Sequence, residues 1–283
     1  MKILQLTIKN FRNYDNQTVN FSQGLNVLVG KNAQGKTNLL EAIFLCCIGK
    51  SARTTKDKEL IKFGCEYAYI KVLFETIAGN KEIEIILSQN TNKTVKINGV
   101  PIKKMGELME TLNTIYFSPD ELKIVKDGPS DRRKFMDIDI SQVSKTYFYL
   151  LTRYENILNQ RNKLLKITLN YNTLLDTISI WDSQIAEVGA KIILSRIKFV
   201  NKLNQKASQI HSLLTNNKEN LQLEYSGIIG NDIQSIKQQF ETQLENNYEK
   251  DFNLKYTSVG PHRDDIKIKV NNIDVRRMGS QGL

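Results

Sequence analysis

The chain has 283 residues, a formal net charge of +10 and 40% hydrophobic residues, enough for one large or two modest domains with a packed core. Three cysteines, at positions 46, 47 and 65, exclude a disulfide framework, and His211 and His262 are too few and too isolated for a metal cluster. Because no apolar run is long enough to span a bilayer and the first residues do not form a signal peptide, we expect a cytoplasmic protein.

The first hundred residues show the patterns of several strands and one helix. Residues 1–9 alternate apolar and polar side chains, which predicts a strand, and the apolar run Leu25–Val29 predicts a second, buried strand. Apolar residues from 39 to 48 recur at helical spacing, and Gly49 is a plausible stop. Further strands are predicted at 72–74, 82–87 and 94–97, the last followed by the turn dipeptide Asn98-Gly99. We therefore predict an α/β fold in which an antiparallel subsheet lies beside the layer of the second strand.

A phosphate-binding loop is predicted between that buried strand and the helix. Its residues fit the pattern G-x-x-x-x-G-K-[ST] and are Gly30, Lys31, Asn32, Ala33, Gln34, Gly35, Lys36 and Thr37. In such a P-loop the backbone N–H groups point at the phosphates, and the helix dipole favours their negative charge. Gly30 and Gly35 allow a close approach of the backbone to the phosphates that a Cβ would block. Lys36 is expected to reach the β- and γ-phosphates, and the Thr37 hydroxyl to bind Mg²⁺. The loop alone does not choose among kinases, GTPases, transporters and DNA-repair ATPases.

Two arginines near the loop have alternative interpretations. Arg12 follows the first strand, and it either meets the phosphates of the nucleotide or is a surface charge. Arg53 follows the helix, and it either senses the γ-phosphate, contacts DNA or complements the helix end.

The second half of the chain is mainly helical. Apolar residues recur at three- and four-residue spacing over 147–165 and 181–200, which predicts two long amphipathic helices. Strands are predicted at 221–226 and 265–270, with a helix around 232–248. The expected domains are an ATPase lobe over 1–115, a mainly helical second lobe over 116–255, and a return to the ATPase lobe over 256–283.

Basic residues are spread along the chain as a phosphate-neutralising groove would need. They cluster after the P-loop helix, at Arg132–Lys134, and along the first long helix at Arg153, Arg161, Lys163 and Lys166. Composition alone leaves open whether these charges bind nucleic acid or only form a soluble surface. The polar turn Gly260–Asp265 is interpreted as a junction held by local salt bridges, in preference to a catalytic element.

Several short motifs follow one another in order along the chain. The first are Ile8–Tyr14 and the P-loop with its flanking Asn38, followed by segments at 39–43, 51–54 and 58–61. The later ones are Phe117–Leu122, Gly128–Asp137, Thr257–Asp265 and Gly279–Gly282. This ordered set, which spans essentially the whole chain, resembles the SMC-like ATPases and, within them, the RecF family of bacterial recombination and repair proteins.

The resemblance implies a P-loop ABC-type ATPase head with a mixed sheet, an inserted helical lobe and no long coiled coil. It implies that ATP and Mg are held in an ATP-dependent homodimer, in which the P-loop of one protomer faces a signature motif of the other that begins at Ser280, Gln281 and Gly282. The implied function is binding to single-stranded or gapped DNA in recombinational repair, replication restart and the SOS response. The implied partners are RecO and RecR, with which the protein would help to load RecA.

The sequence departs from the family pattern after the signature. The family continues into a Walker B strand that ends in an acidic pair, and no such segment follows here. Because the segment is missing, we expect a C-terminally truncated protein. Because its carboxylate would position Mg²⁺ and water, we expect the protein to bind nucleotide but not to be an enzyme. A truncated, hydrolysis-deficient copy that binds nucleotide or DNA only weakly, or another SMC-like P-loop ATPase, is the alternative.

Two other functional classes explain less of the sequence. A small-molecule P-loop enzyme such as a kinase would need a lid and an acid–base residue, and it does not account for the motifs at 117–137 and 257–265. An SMC-like nuclease would need an acidic metal-binding cluster, which the sequence does not show.

Overall fold

The computed structural model describes residues Met1–Met278, so the predicted signature residues Ser280, Gln281 and Gly282 lie outside the described residues. The chain divides into two compact units, one over Met1–Tyr116 and one from Phe117 onward. The division falls one residue after the predicted end of the first ATPase segment. None of the helices that the structure describes is long and apolar enough to cross a membrane.

The first unit consists of one sheet and one long helix. Its elements are β1 Lys2–Phe11, β2 Tyr14–Asn20, α1 Lys36–Ile48, β3 Tyr67–Thr76, β4 Gly79–Ser88, β5 Thr94–Ile97 and β6 Val100–Pro101. The strands form a six-stranded sheet in the order β2-β1-β3-β4-β5-β6, and each neighbouring pair is antiparallel. The predicted antiparallel subsheet is therefore confirmed.

The sheet has one apolar face because its strands alternate. Every second residue of β3 is buried from Ala68 to Phe74. Strand β4 shows the same alternation, with buried side chains at Ile83, Ile85 and Leu87. Helix α1 packs against β3 and β4. The helix ends where predicted, since Gly49 adopts a left-handed φ of 73° and its N–H donates to the carbonyl of Leu45.

The apolar run Leu25–Val29 does not form the predicted strand. Leu25, Val27 and Val29 are 87%, 71% and 90% exposed, and no strand of either described sheet pairs with this segment. An apolar run becomes a strand only where its backbone N–H and C=O groups find a neighbouring strand. The prediction used the side-chain pattern, which carries no information about that pairing partner.

The second unit is mainly helical and carries a small sheet. Its helices are α2 Lys123–Lys126, α3 Pro129–Val143, α4 Lys145–Ile167, α5 Tyr171–Leu214, α6 Ile233–Glu245, α7 Tyr248–Leu254 and α8 Val275–Met278. Its strands are β7 Leu221–Ser226, β8 Asp265–Val270 and β9 Ile273–Asp274, which form an antiparallel sheet in the order β7-β8-β9. The two long predicted helices are confirmed, and the 44-residue helix α5 packs against α4, α6 and β7.

The predicted return to the ATPase lobe over 256–283 differs from the structure. Strand β8 pairs along its whole length with β7, and the two belong to the second unit. The sequence pattern located this strand correctly. It could not assign the strand to a sheet, because pairing between residues 39 to 49 positions apart leaves no local signal.

Some of the predicted basic-groove residues are instead buried in ion pairs of the second unit. The Arg161 side chain is fully buried; its Nε donates to Asp182 Oδ1 at 2.6 Å, and its Nη1 donates to Asp251 Oδ2 at 2.8 Å. Arg132 is 1% exposed and binds both carboxylate oxygens of Asp265. A buried cation is held by its anion and is closed to phosphates, so these two arginines do not form part of a DNA-binding surface.

The polar turn Gly260–Asp265 also connects elements of the second unit. His262 lies between α4 and its own loop, with Nδ1 2.7 Å from the Tyr154 hydroxyl and Nε2 3.0 Å from the Thr257 carbonyl. Because a carbonyl only accepts, Nε2 carries the proton and Nδ1 accepts from Tyr154. The Pro261 carbonyl accepts from the buried Arg196. These bonds favour the structural interpretation of this turn.

Candidate nucleotide-binding site

The predicted P-loop lies at the N-terminus of α1, with Lys36 as the first helical residue. Gly35 precedes it with φ 97°, and a Cβ at that position would lie 2.7 Å from Asn13 Oδ1 and 2.8 Å from Tyr14 Cε2. Glycine is therefore required at position 35 by backbone conformation and by space. Gly30 has a φ outside the left-handed region, and a Cβ there would meet no atom within 4 Å, so the predicted steric need for glycine applies only to Gly35.

The loop is wrapped around the ammonium group of its own lysine. Lys36 Nζ donates to the carbonyls of Gly30 at 2.6 Å and Lys31 at 2.8 Å. Residues Lys31, Asn32, Ala33 and Gln34 are exposed, and Thr37 is exposed in the first turn of α1. The lysine, the hydroxyl and the first N–H groups of the helix are thus placed together at an accessible surface, which fits a phosphate and a Mg²⁺-binding hydroxyl.

An acidic residue that the sequence analysis did not single out organises the region beside the loop. The Glu41 side chain is fully buried in α1, and its two oxygens accept from Arg12 Nη2 at 2.8 Å and Arg12 Nε at 3.0 Å. It also accepts from the Ser51 hydroxyl at 2.6 Å and lies 3.4 Å from Arg53 Nη1. Its only sequence signal is a carboxylate within an otherwise apolar stretch of helix, from Leu39 to Ile48.

The charges around Glu41 keep it ionised. Burial alone would raise the pKa of this carboxyl, but the hydrogen bonds from Arg12 and Ser51 and the charges of Arg12 and Arg53 outweigh burial and leave the pKa lowered. The carboxylate in turn fixes both arginines. Arg12 has a left-handed φ of 53°, and its Nη1 donates to the carbonyl of Glu59, so both its backbone and its side chain are constrained.

The structure brings Arg12 and Arg53 together beside the start of α1. Arg53 Nη1 donates to Asn38 Oδ1 at 2.9 Å, and Asn38 Nδ2 donates to Asn13 Oδ1 at 2.8 Å. Arg12 is therefore an ion-pair partner of Glu41 and not an isolated surface charge. Direct contact of either arginine with a nucleotide stays a prediction.

A cleft of about 820 Å³ opens next to these side chains. Its lining includes Arg12, Asn13, Asn38, Arg53, Phe63 and Cys65. Asn13 is also the residue that a Cβ on Gly35 would meet, so the cleft begins where the P-loop ends. Among the described residues, no group of three His, Cys, Asp or Glu side chains is placed to hold a metal ion.

The loop, the helix that receives it and the surrounding sheet define a class of protein, the P-loop nucleotide-binding domains. In agreement, the AAA domain family matches residues 5–253 of the chain. A solved SMC head bound to the C-terminal winged-helix domain of ScpA is 17% identical, covers 98% of this chain and 68% of that chain, and has a TM-score of 0.50, which indicates a similar fold.

Similarity to one family within that class extends over the whole chain. The DNA replication and repair protein RecF of Clostridium acetobutylicum is 44% identical over 283 residues, which cover 100% of this chain and 77% of the relative. RecF of Clostridium novyi is 42% identical over 282 residues, with coverage of 100% and 77%. The structure of the recombination mediator protein RecF-ATP in the RecFOR pathway has a TM-score of 0.91 at 37% identity, over 98% of this chain and 75% of that chain.

The chain belongs to the RecF family of DNA replication and repair proteins. The family and the fold class expected from the ordered motifs are therefore confirmed.

Proposed function

We propose that this chain binds ATP at the loop over residues 30–37 and uses the bound nucleotide to control binding to DNA. The observation that carries the proposal is the loop itself, in which the Lys36 ammonium, the Thr37 hydroxyl and the N-terminus of α1 converge at one accessible surface. The likeness to RecF-ATP supports ATP as the ligand.

The side chains of the site have separate tasks in this proposal. Lys36 exchanges its two carbonyl partners for phosphate oxygens, which are stronger acceptors because they are charged. Thr37 would hold Mg²⁺, which supplies charge neutralisation of the phosphates. Glu41 holds Arg12 and Arg53 at the mouth of the cleft, where they add positive potential next to the phosphates.

The experiment that tests ATP binding compares two neighbouring lysines. Lys36→Ala removes two charge-assisted hydrogen-bond donors, so ATP affinity measured by calorimetry should fall at least about 100-fold. Lys31→Ala removes an exposed side chain whose backbone carbonyl stays in place, so affinity should change less than about threefold. Unchanged ATP binding by Lys36→Ala would show that the P-loop assignment is wrong.

We propose further that nucleotide is a ligand here and is not turned over. The only acid of α1, Glu41, is engaged by Arg12, Ser51 and Arg53, so it is not available to hold a metal or to orient water. Phosphate release in the presence of ATP, Mg²⁺ and DNA measures this directly. Sustained turnover that Lys36→Ala abolishes would contradict the proposal.

The surface proposed for DNA is an exposed face of α5. No acidic residue lies between Glu187 and Glu219. Within this segment Lys198, Lys202 and Lys206 are exposed and four residues apart. Four residues of helix rise about 6 Å, so the three ammonium groups form a row on one face that can follow a phosphate backbone. We name this row the lysine stripe.

Salt dependence tests the lysine stripe. Changing all three lysines to Gln should reduce the slope of log K against log[salt] by about 2 to 3 for duplex DNA, since each phosphate contact contributes about 0.9. A control variant removes the same charge from three scattered exposed positions, Lys103, Lys250 and Lys267. If both triple variants lose affinity and slope equally, only net charge matters and the stripe is not the contact surface.

We also propose that the protein acts with RecO and RecR at gapped DNA to help load RecA, as an ATP-dependent homodimer. Membership of the RecF family and the likeness to a mediator of the RecFOR pathway support this. Assembly of RecA on gapped DNA coated with single-strand-binding protein should be faster with RecO, RecR and this chain than with RecO and RecR alone. An equal rate would contradict the proposed role in loading RecA. An unchanged sedimentation coefficient when ATP is added would contradict the proposed ATP-dependent homodimer.

A further inference from the structure

The cleft beside the P-loop has an aromatic side chain in its lining that the phosphate chemistry does not use. Phe63 is 101% exposed, which makes it the most exposed aromatic residue in the described part of the chain. A phenylalanine in this position gains nothing from burial within the fold. Single exposed apolar residues are common, so the position of Phe63 has to carry the argument.

The backbone on either side of Phe63 is fixed to the first strand. The N–H of Lys62 donates to the carbonyl of Asn10 at 2.8 Å, and the N–H of Arg12 donates to the carbonyl of Leu60 at 2.8 Å. The N–H of Cys65 closes the turn onto the carbonyl of Lys62 at 3.0 Å. The exposed ring is therefore carried on a backbone that is held in place before any ligand binds, which lowers the entropy cost of binding.

The cleft extends from this ring to Asn38, the residue that directly follows the phosphate loop. Asn13 and Asn38 both line the cleft. Asn38, in the first turn of α1, also donates a hydrogen bond to Asn13. Arg12 and Arg53 stand on the same lining, so the cleft has a cationic part next to the loop as well as the aromatic ring. A nucleotide has the same arrangement, with anionic phosphates followed by a sugar and a flat, π-rich base.

We propose that Phe63 is the stacking platform for the adenine base of the nucleotide whose phosphates lie on residues 30–37. This inference rests on the ATP binding proposed above. Stacking on an aromatic side chain is tolerant of the kind of base, because every base has a π-face. Phe63 therefore contributes affinity for a nucleoside over a bare polyphosphate, and it contributes little discrimination between ATP and GTP.

The test compares ATP with inorganic tripolyphosphate, both with Mg²⁺, on the full chain by calorimetry. Phe63→Ala should weaken ATP about 5- to 150-fold and leave tripolyphosphate within about twofold. Phe63→Trp, which keeps a ring, should retain ATP affinity. The matched control is Ile77→Ala, which removes an equally exposed apolar side chain (109%) from the turn between β3 and β4 and should leave the affinity for both compounds unchanged.

Each outcome separates this inference from the function on which it rests. If the native protein binds neither compound, or Lys36→Ala binds ATP normally, the proposed ATP site fails. If Lys36→Ala loses ATP but Phe63→Ala binds it normally, ATP binding stands and the stacking platform is refuted. An equal loss of ATP and tripolyphosphate in Phe63→Ala would also refute stacking, because it would show that the substitution disturbs the loop.

Discussion

The buried Arg161 network allows a quantitative test of what holds the helical unit together. Arg161 on α4 pairs with Asp182 on α5 and Asp251 on α7, and its Nη1 also donates to the Thr257 hydroxyl at 2.9 Å. The substitution Arg161→Met keeps most of the aliphatic stem and removes the charge. It leaves two carboxylates buried without their cation.

The expected cost follows from what each carboxylate retains. Removing one partner of a buried ion pair costs about 3–5 kcal/mol. Asp251 keeps the N–H of Ser258 at 2.9 Å, and both carboxylates lose the same cation, so two losses do not simply add. We therefore expect the free energy of unfolding to fall by about 3–5 kcal/mol, a large part of the about 5–15 kcal/mol that stabilises an ordinary domain.

The chain provides its own probe for this measurement. Trp181 is the only tryptophan, and it packs against the core of the second unit, so its fluorescence in a urea titration follows the unfolding of that unit. The control is Lys191→Met on α5, which breaks a pair with Glu187 whose side chains are 37% and 47% exposed. The free energy of unfolding of Lys191→Met should fall by less than about 1 kcal/mol.

Two results would refute the reasoning. An Arg161→Met loss below about 1 kcal/mol would mean that the buried carboxylates are not left uncompensated. A loss that stays the same after Asp182→Asn and Asp251→Asn are added would mean that it came from packing and not from stranded charge, because neutral side chains at both positions should restore part of the stability.

Three further predictions concern single residues of the two units. Gly35→Ala should destabilise the protein by about 2 kcal/mol and abolish ATP binding, because it combines a left-handed φ with a Cβ 2.7 Å from Asn13. Gly30→Ala should fold with native stability, and a urea titration followed by far-UV circular dichroism, which reports both units, compares the two variants. Glu41→Gln should lower ATP affinity about 5- to 20-fold in calorimetry by releasing Arg12, and an unchanged affinity would show that this anchor is not needed. Burial lowers the pKa of His262 from 6.5 to about 4, although its hydrogen bond to the Thr257 carbonyl opposes the shift. As the pH falls, the unfolded chain therefore binds this proton before the folded protein does. The free energy of unfolding should fall by about 3 kcal/mol between pH 6.5 and pH 4. Urea titrations at pH 7 and about pH 4.5 should show most of this loss in the native protein and a smaller one in His262→Gln. Equal losses would assign the acid sensitivity to other groups.

Local sequence signals predicted the elements whose cause is local. The Asn98-Gly99 dipeptide specifies a tight hairpin turn, and both residues adopt positive φ between β5 and β6. The C-terminal stop of α1 at Gly49 and the P-loop around Lys36 are similar cases, since each depends on a few adjacent residues. Family resemblance then supplied the overall fold class, which local patterns do not specify.

The errors and omissions share a different cause, which is dependence on distant residues. Leu25–Val29 has the side chains of a buried strand, but pairing decides whether a strand forms. Glu41 and Arg12 lie 29 positions apart, and Arg161 and Asp251 lie 90 positions apart. Charge patterns in the sequence could not show that Arg161 is held inside the protein while Lys198, Lys202 and Lys206 face solvent.

The three thiols of the chain differ in reactivity because they differ in burial. Cys46 and Cys47 are inside α1, and burial raises the pKa of Cys47 to about 12 and that of Cys46 well above its usual value, so neither forms a thiolate at neutral pH. Cys65 is half-buried and lines the cleft that also contains Phe63. A maleimide dye would therefore attach selectively at Cys65 in the unmodified protein, and protection of this thiol by ATP would report occupancy of the cleft in real time.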